Sequence, residues 1–175
     1  MEVILVDDCS DDGTEIELLK YCHRNPNCVF IHNKRNLGVA HSRNIAYDIA
    51  SGEYITQLDS DDEYYTDVLN DILDHDLTAD IVYFDMRVND GSVWRSSPKT
   101  RYTIMDHCNL IKMDLVGDHR YPILPYGSGV GLNNDIQKEL DKRNGTTLYT
   151  NKCAYKYNFP RDGSIMNLKA RGLLK

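Results

Sequence analysis

At 175 residues, 41% hydrophobic and 27% charged, the chain has the composition of a soluble globular protein large enough for one sizeable core. A net charge of −7 and the lack of any Lys/Arg run exclude a nucleic-acid partner, and no apolar stretch approaches the roughly 18 residues of a transmembrane segment. The expectation is one cytoplasmic domain spanning residues 1–175.

Val3 to Val6 is a continuous apolar run, as in the middle of a parallel sheet, and it opens into the acidic loop Asp7-Asp8-Cys9-Ser10-Asp11-Asp12-Gly13-Thr14. Asp12 or Thr14 can cap a helix that turns Ile16, Leu19 and Cys22 inward and stops before Asn25-Pro26-Asn27. Cys28 to His32 reads as a strand and Asn36-Leu37-Gly38 as a turn. Val39 to Ala50 reads as a helix with Val39, Ile45, Ala46 and Ile49 inside, closed by Ser51 and a left-handed Gly52. Glu53 to Leu58 has strand character and runs into Asp59, Asp61 and Asp62. A helix from Tyr65 to Asp74 and a strand from Asp80 to Asp85 follow. The alternation calls for a mostly parallel sheet flanked by helices.

Beyond Arg87 the pattern weakens. Val93-Trp94 and Arg101 to Ile104 read as edge strands, Asp106 to Asp114 as a short helix, Tyr126 to Gly131 as a glycine-rich loop, and Asn134 to Arg143 as a helix. Asn144-Gly145 turns the chain into a strand from Thr147 to Tyr149, with a second segment from Ala154 to Phe159 and a helical tail from Ile165 to Lys175. The five cysteines, odd in number and without C-x-x-C spacing, read as reduced thiols rather than a disulfide framework or zinc site.

Carboxylates as close as Asp59, Asp61 and Asp62 repel one another, a cost that solvent or a cation relieves. A hard divalent ion, Mn²⁺ or Mg²⁺, suits oxygen ligands and keeps waters and substrate phosphates in its remaining positions; the plain alternative is a solvated acidic turn. A calcium loop is excluded: aligned on Gly13, its twelfth position is Leu19 where a bidentate Glu is required. Nucleophile chemistry has no support, because the six histidines are scattered and the Gly-x-Ser-x-Gly-like run follows no clear strand.

Four islands, Val3 to Thr14, Asn36-Leu37-Gly38 with Ser42-Arg43-Asn44, Gly52-Glu53-Tyr54-Ile55 through Asp59-Ser60-Asp61-Asp62, and Tyr155-Lys156-Tyr157 with Arg161-Asp162-Gly163-Ser164, resemble the family 2 glycosyltransferases of the GT-A fold. The resemblance implies a nucleotide-sugar-binding half over 1–86, and an acceptor-side half with a small antiparallel part over 87–175. Asp7 and Asp8 match the positions that hold base and ribose, Arg43 lies near the donor, and Asp59 or Asp61 faces the ribose. Asp61 and Asp62 match the metal motif, and Asp135 is the matching carboxylate for deprotonating the acceptor, with Glu139 and Asp118 as substitutes. The implied activity is metal-dependent, inverting transfer of a hexose from a nucleoside-diphosphate sugar, a UDP-sugar, to a saccharide or lipid-linked acceptor. Relatives place a strand, a turn and a helix ahead of the segment that opens here at Val3. The expectation is therefore an unpaired sheet edge, covered by another segment or a second copy of the chain. The alternative reading is a non-catalytic domain that binds a nucleotide sugar or a protein partner.

Overall fold

The computed structural model describes residues 1–96, 107–124 and 131–159. In chain order the elements are β1 (Val3–Asp7), α1 (Thr14–Arg24), β2 (Cys28–His32), α2 (Val39–Ile49), β3 (Tyr54–Ile55), β4 (Glu63–Tyr64), α3 (Thr66–His75), β5 (Ile81–Val88), β6 (Val93–Trp94), β7 (Asn109–Lys112), α4 (Met113–Val116), α5 (Leu132–Arg143) and β8 (Thr147–Tyr157). The chain forms two compact units, the first of residues 1–55 and 112–143, the second of 56–111 and the chain from Asn144 onward.

In the first unit β1 and β2 pair in parallel, Val3 opposite Cys28 through Asp7 opposite His32. The Asp12 carboxylate accepts the N–H and hydroxyl of Thr14 (3.1 and 2.6 Å) and starts α1, with Gly13 supplying the left-handed residue. The expected inner stripe of α1 is corrected: Ile16 and Leu19 are 57% and 50% exposed, while Leu18 and Cys22 turn inward. A disulfide joins Cys22 to Cys28 at the start of β2, correcting the reading of reduced thiols for those two while Cys9, Cys108 and Cys153 are free, and it presents the face that Leu18 and Cys22 share.

α2 departs in a similar way. Val39 and Ile49 are exposed, and Ala40 and Tyr47 are buried. Asn44 explains the rotation: its amide exchanges two hydrogen bonds with the Tyr121 backbone (2.9 and 2.8 Å), so positions 40, 44 and 47, spaced i, i+4, i+7, face inward. After α2 the backbone does not use a left-handed Gly52. The Glu2 carboxylate instead accepts the N–H groups of Ser51 and Gly52 (2.7 and 2.8 Å). α4 and α5 complete the unit, α5 burying Leu132, Ile136 and Leu140 at helical spacing.

The second unit is built on β5, buried everywhere except Arg87. β5 pairs in parallel with β8 and antiparallel with β6 and β7, and β4 joins β8 antiparallel. The sheet is thus mixed rather than mostly parallel. The turn at Asn89–Ser92, closed by Val88 N–H on the Ser92 carbonyl (2.9 Å), is too short for anything but an antiparallel return into β6. α3 lays Leu69 and Ile72 against this core, which holds Val82, Phe84, Met86 and Tyr155 with no solvent exposure. Each such side chain contributes about 1.5–3 kcal/mol.

Three further expectations are corrected here. Residues 109–112 form β7 rather than helix, because Asn109, Leu110 and Ile111 are all buried beside β5. The strand expected over Glu53 to Leu58 is reduced to β3, and residues 56–62 run without a ladder. Thr147 to Phe159 holds one strand, not two: Asn151 takes φ 55 inside β8, and the six steps from Tyr149 to Tyr155 lie opposite only three from Tyr83 to Met86. Arg101 to Ile104, most of the glycine-rich run and the tail lie outside the described residues. No helix among the described residues is long and apolar enough to cross a membrane.

Candidate functional site

In the first unit the two acids at the end of β1 both turn toward their own surroundings. Asp7, 4% exposed, lies 2.8 Å from His32 Nδ1 and takes the Ser10 hydroxyl and N–H. Burial alone would raise its pKa, but the bonds from Ser10 and His32 outweigh that and hold it below the usual carboxylate range. Asp8 accepts the N–H groups of Leu37 and Gly38 (2.8 and 2.7 Å) and the Asn33 amide (2.9 Å). It too is held low, these donors again overcoming burial. Asp8 therefore ties the acidic loop to the turn at 36–38, where Gly38 (φ 88) starts α2. Arg43, on α2, places its guanidinium 5.3 Å above the Tyr121 ring, which meets Tyr47 edge-on at 5.9 Å.

In the second unit the acid triplet sits on a turn closed by Asp62 N–H on the Asp59 carbonyl (3.0 Å). Phenols replace the missing ladder before it. The Tyr64 hydroxyl donates to the Gln57 carbonyl (2.6 Å) and meets the Thr56 hydroxyl, and Asp59 N–H reaches the Tyr155 hydroxyl at 3.4 Å.

The three carboxylates are not equivalent. Asp62 is 8% exposed and uses both oxygens internally, Oδ2 accepting the Tyr155 hydroxyl and Oδ1 the Asn158 N–H (2.8 Å). Desolvation raises its pKa above 3.8 despite those bonds, with Asp61 and Asp59 adding repulsion. Asp59 keeps 35% of its side chain exposed, 3.8 Å from His107 Nδ1, and Asp61 is half-exposed. His107 stacks on Tyr155 at 5.2 Å.

A hard cation that retains waters and substrate phosphates needs only one or two carboxylates, and Asp59 and Asp61, both partly exposed, are oxygen donors of the kind it takes. Asp62 fits less well, having both oxygens already bonded. Among the described residues no three His, Cys, Asp or Glu side chains form a ready-made cage.

Asp135 lies in the first turn of α5, 45% exposed, and Lys138 (2.8 Å) holds its pKa low. Glu139 is bound by Arg143 and Lys142, and Asp118 is exposed. A cleft of about 630 Å³ beside α3 contains none of the predicted acids; its Lys152 is neutralised by Asp71 and Asp76. Sequence reasoning missed the anchoring roles of Tyr155, Tyr64 and His107. The Tyr155–Tyr157 alternation was a usable signal for the first, and nothing local marked the others.

A sequence profile for "Glycosyl transferase family 2" matches residues 1–134. WcaA of Escherichia coli K12, a glycosyl transferase named for colanic acid biosynthesis, is 35% identical over 96 residues, covering 53% of this chain and 34% of WcaA. Among solved structures, S. aureus TarS (residues 1–349) in complex with UDP-GlcNAc superposes with a TM-score of 0.75 at 24% identity, over 95% of this chain and 51% of that one. The mannosyltransferase PcManGT of Pyrobaculum calidifontis, in complex with GDP-Man and Mn²⁺, gives 0.66 at 18% identity, over 93% and 49%. The chain thus spans about a third of WcaA and about half of the solved chains, and the superpositions establish the GT-A fold.

Proposed function

The chain belongs to glycosyltransferase family 2, and from that premise we propose that it transfers a hexose from a UDP-sugar to a hydroxyl of a saccharide or lipid-linked acceptor, with inversion. The observation that carries this reading is the acid triplet on one turn, in which Asp62 is buried and bonded to Tyr155 and Asn158 while Asp59 and Asp61 lie beside it, partly exposed. The GT-A relatives bound to UDP-GlcNAc, and to GDP-Man with Mn²⁺, support a nucleotide-sugar donor and a divalent cofactor.

Asp59 and Asp61 are the proposed holders of Mn²⁺ or Mg²⁺, with Asp62 fixing the turn that presents them. When bound, the cation supplies positive charge for the departing diphosphate. Asp7, Asp8 and Arg43 are assigned to the nucleoside side of the donor. There Asp8 shapes the loop through the amides of Leu37 and Gly38, and Tyr121 steadies the Arg43 guanidinium. Asp135 is the proposed base. Ionised at neutral pH like any exposed carboxylate, it would take the acceptor proton as the acceptor oxygen bonds the anomeric carbon and the diphosphate leaves; the Lys138 ion pair, which lowers its pKa, weakens it as a base.

The engagement of Asp135 with Lys138 favours a second reading, donor binding without transfer. Calorimetry with UDP and MnCl₂ tests the first: binding is expected in the wild type and is at least about tenfold weaker in Asp61→Ala, whose unfolding midpoint stays unchanged. Absence of UDP binding with Mn²⁺ defeats both readings, and UDP-sugar turnover lost in Asp135→Ala decides for transfer.

A further inference from the structure

At the carboxyl end of the first unit's parallel pair, both acids are fully engaged. Asp7 closes β1 opposite His32, which closes β2. Its carboxylate, 2% exposed, takes the Ser10 hydroxyl on Oδ1 and His32 on Oδ2 (2.8 Å), with the Ser10 N–H at 3.3 Å from both oxygens. Asp8 holds the N–H groups of Leu37 and Gly38 and the Asn33 amide, whose N–H₂ group also reaches the Ser42 hydroxyl (3.1 Å). Neither acid has an oxygen without a partner.

His32 differs. Its side chain is 30% exposed, and Asp7 is the one hydrogen-bond partner of its ring among the described residues. A carboxylate can only accept, so Nδ1 carries the proton it shares with Asp7, and in the neutral ring Nε2 is left with a bare lone pair. The pair converts a carboxylate that a ligand cannot reach into an acceptor that it can. Its position suits that use, because ligands of open α/β sheets bind beyond the carboxyl ends of the strands, where Asp7 and His32 stand.

A lone pair selects its partner. It takes an uncharged N–H or O–H donor and has nothing to offer an ionised diphosphate, whose oxygens only accept. Of the parts of a UDP-sugar, the nucleoside fits: uracil presents its N3–H, and ribose its hydroxyls. We propose that His32 Nε2 accepts a hydrogen bond from the nucleoside of the donor, with Asp7 as the positioning residue behind it. The assignment rests on the donor reading above and extends it.

Calorimetry at pH 8 with UDP and MnCl₂ on the intact chain reads the contact. His32→Asn keeps an amide N–H for Asp7 and has no atom in the place of Nε2, so UDP affinity should fall about tenfold while the unfolding midpoint holds. His32→Gln brings an amide oxygen near that place and should recover part of the loss. A residue that served only to partner Asp7 would give the reverse order. UDP methylated at N3, 2′-deoxy-UDP and 3′-deoxy-UDP separate base from ribose: the analogue that lacks the bonded donor should bind the wild type about tenfold more weakly than UDP, and His32→Asn no more weakly than UDP does.

Unchanged UDP affinity in folded His32→Asn, or full additivity with all three analogues, overturns the assignment. If the Asn chain does not fold, His32→Ala takes its place in the same cycle, and three analogues that all bind the wild type as UDP does overturn it without any variant. Absence of UDP binding in the wild type defeats the donor reading and this contact with it. Binding that is indifferent to His32 and to the analogues removes the contact alone.

Discussion

Replacing Tyr155 by Phe deletes a single oxygen from a side chain with no solvent exposure. That oxygen donates to Asp62 Oδ2, whose residue is 8% exposed, and accepts a long bond from Asp59 N–H. A hydrogen bond to a charged acceptor is worth about 1.5–3 kcal/mol, and the carboxylate left short of a donor has little water to replace it. The expected loss is about 3 kcal/mol, or roughly 6–12 °C in the melting temperature of a chain this size.

The loss should also depend on pH. Asp62 has a folded pKa above its reference of 3.8, so the folded state binds its proton first. Ionised Asp62 therefore costs stability at neutral pH, and that cost is relieved as pH falls through the folded pKa toward 3.8. The Tyr155 hydroxyl matters most while the carboxylate is charged. Urea unfolding of wild type and Tyr155→Phe should thus show the full difference at pH 7 and a smaller one near pH 4. A loss under about 1 kcal/mol at pH 7, or an equal loss at both pH values, refutes the anchoring role given to Asp62.

Asp8→Asn should cost about 1–2 kcal/mol, a figure discounted for partial exposure, because an amide cannot accept from Leu37, Gly38 and Asn33 as the carboxylate does. Asp8 is depressed below 3.8, so its contribution is present above that pH and lost as pH falls through the folded value. The variant should show a shallower acid limb in pH-dependent urea melts. Reducing the Cys22–Cys28 bond closes out a short loop constraint worth about 2 kcal/mol. Dithiothreitol should lower the urea midpoint of the wild type, and should leave that of Cys22→Ser/Cys28→Ser unchanged.

Apart from β4 and the loss of the ladder after β3, the strands and helices up to Val88 could be read from hydrophobic period and punctuation, because Val3 to Val6, Cys28 to His32 and Ile81 to Phe84 are apolar runs bounded by polar turns. Helix rotation could not. Ile16 and Leu19 obey the period of α1 yet face solvent, since the disulfide and Asn44 set rotations that no local pattern encodes. β7 was hidden for a related reason: three successive residues buried beside β5 show no alternation, and only a long-range partner makes them a strand. Within the acid triplet the sequence located three carboxylates, but their different tasks depend on Tyr155 and Asn158, more than ninety positions away. Asp7 and Asp8 likewise stood out as acids, whereas their inward bonds to His32 and to the amides at 37 and 38 are properties of the folded loop.

The surplus residues in the middle of β8 set a parity. A pleated strand presents alternate side chains to opposite sides, so the count between Tyr149, which donates to Asp85, and Tyr155, which donates to Asp62, decides where every later ring points. Natural variation that removes one residue around Asn151 would send Tyr155 and Tyr157 to the wrong side together, whereas loss of two would preserve the side and shift the partners by roughly 7 Å. Length changes in this stretch, single or paired, should therefore cost the bonds to Asp62, though the stretch itself bears none of the proposed catalytic groups.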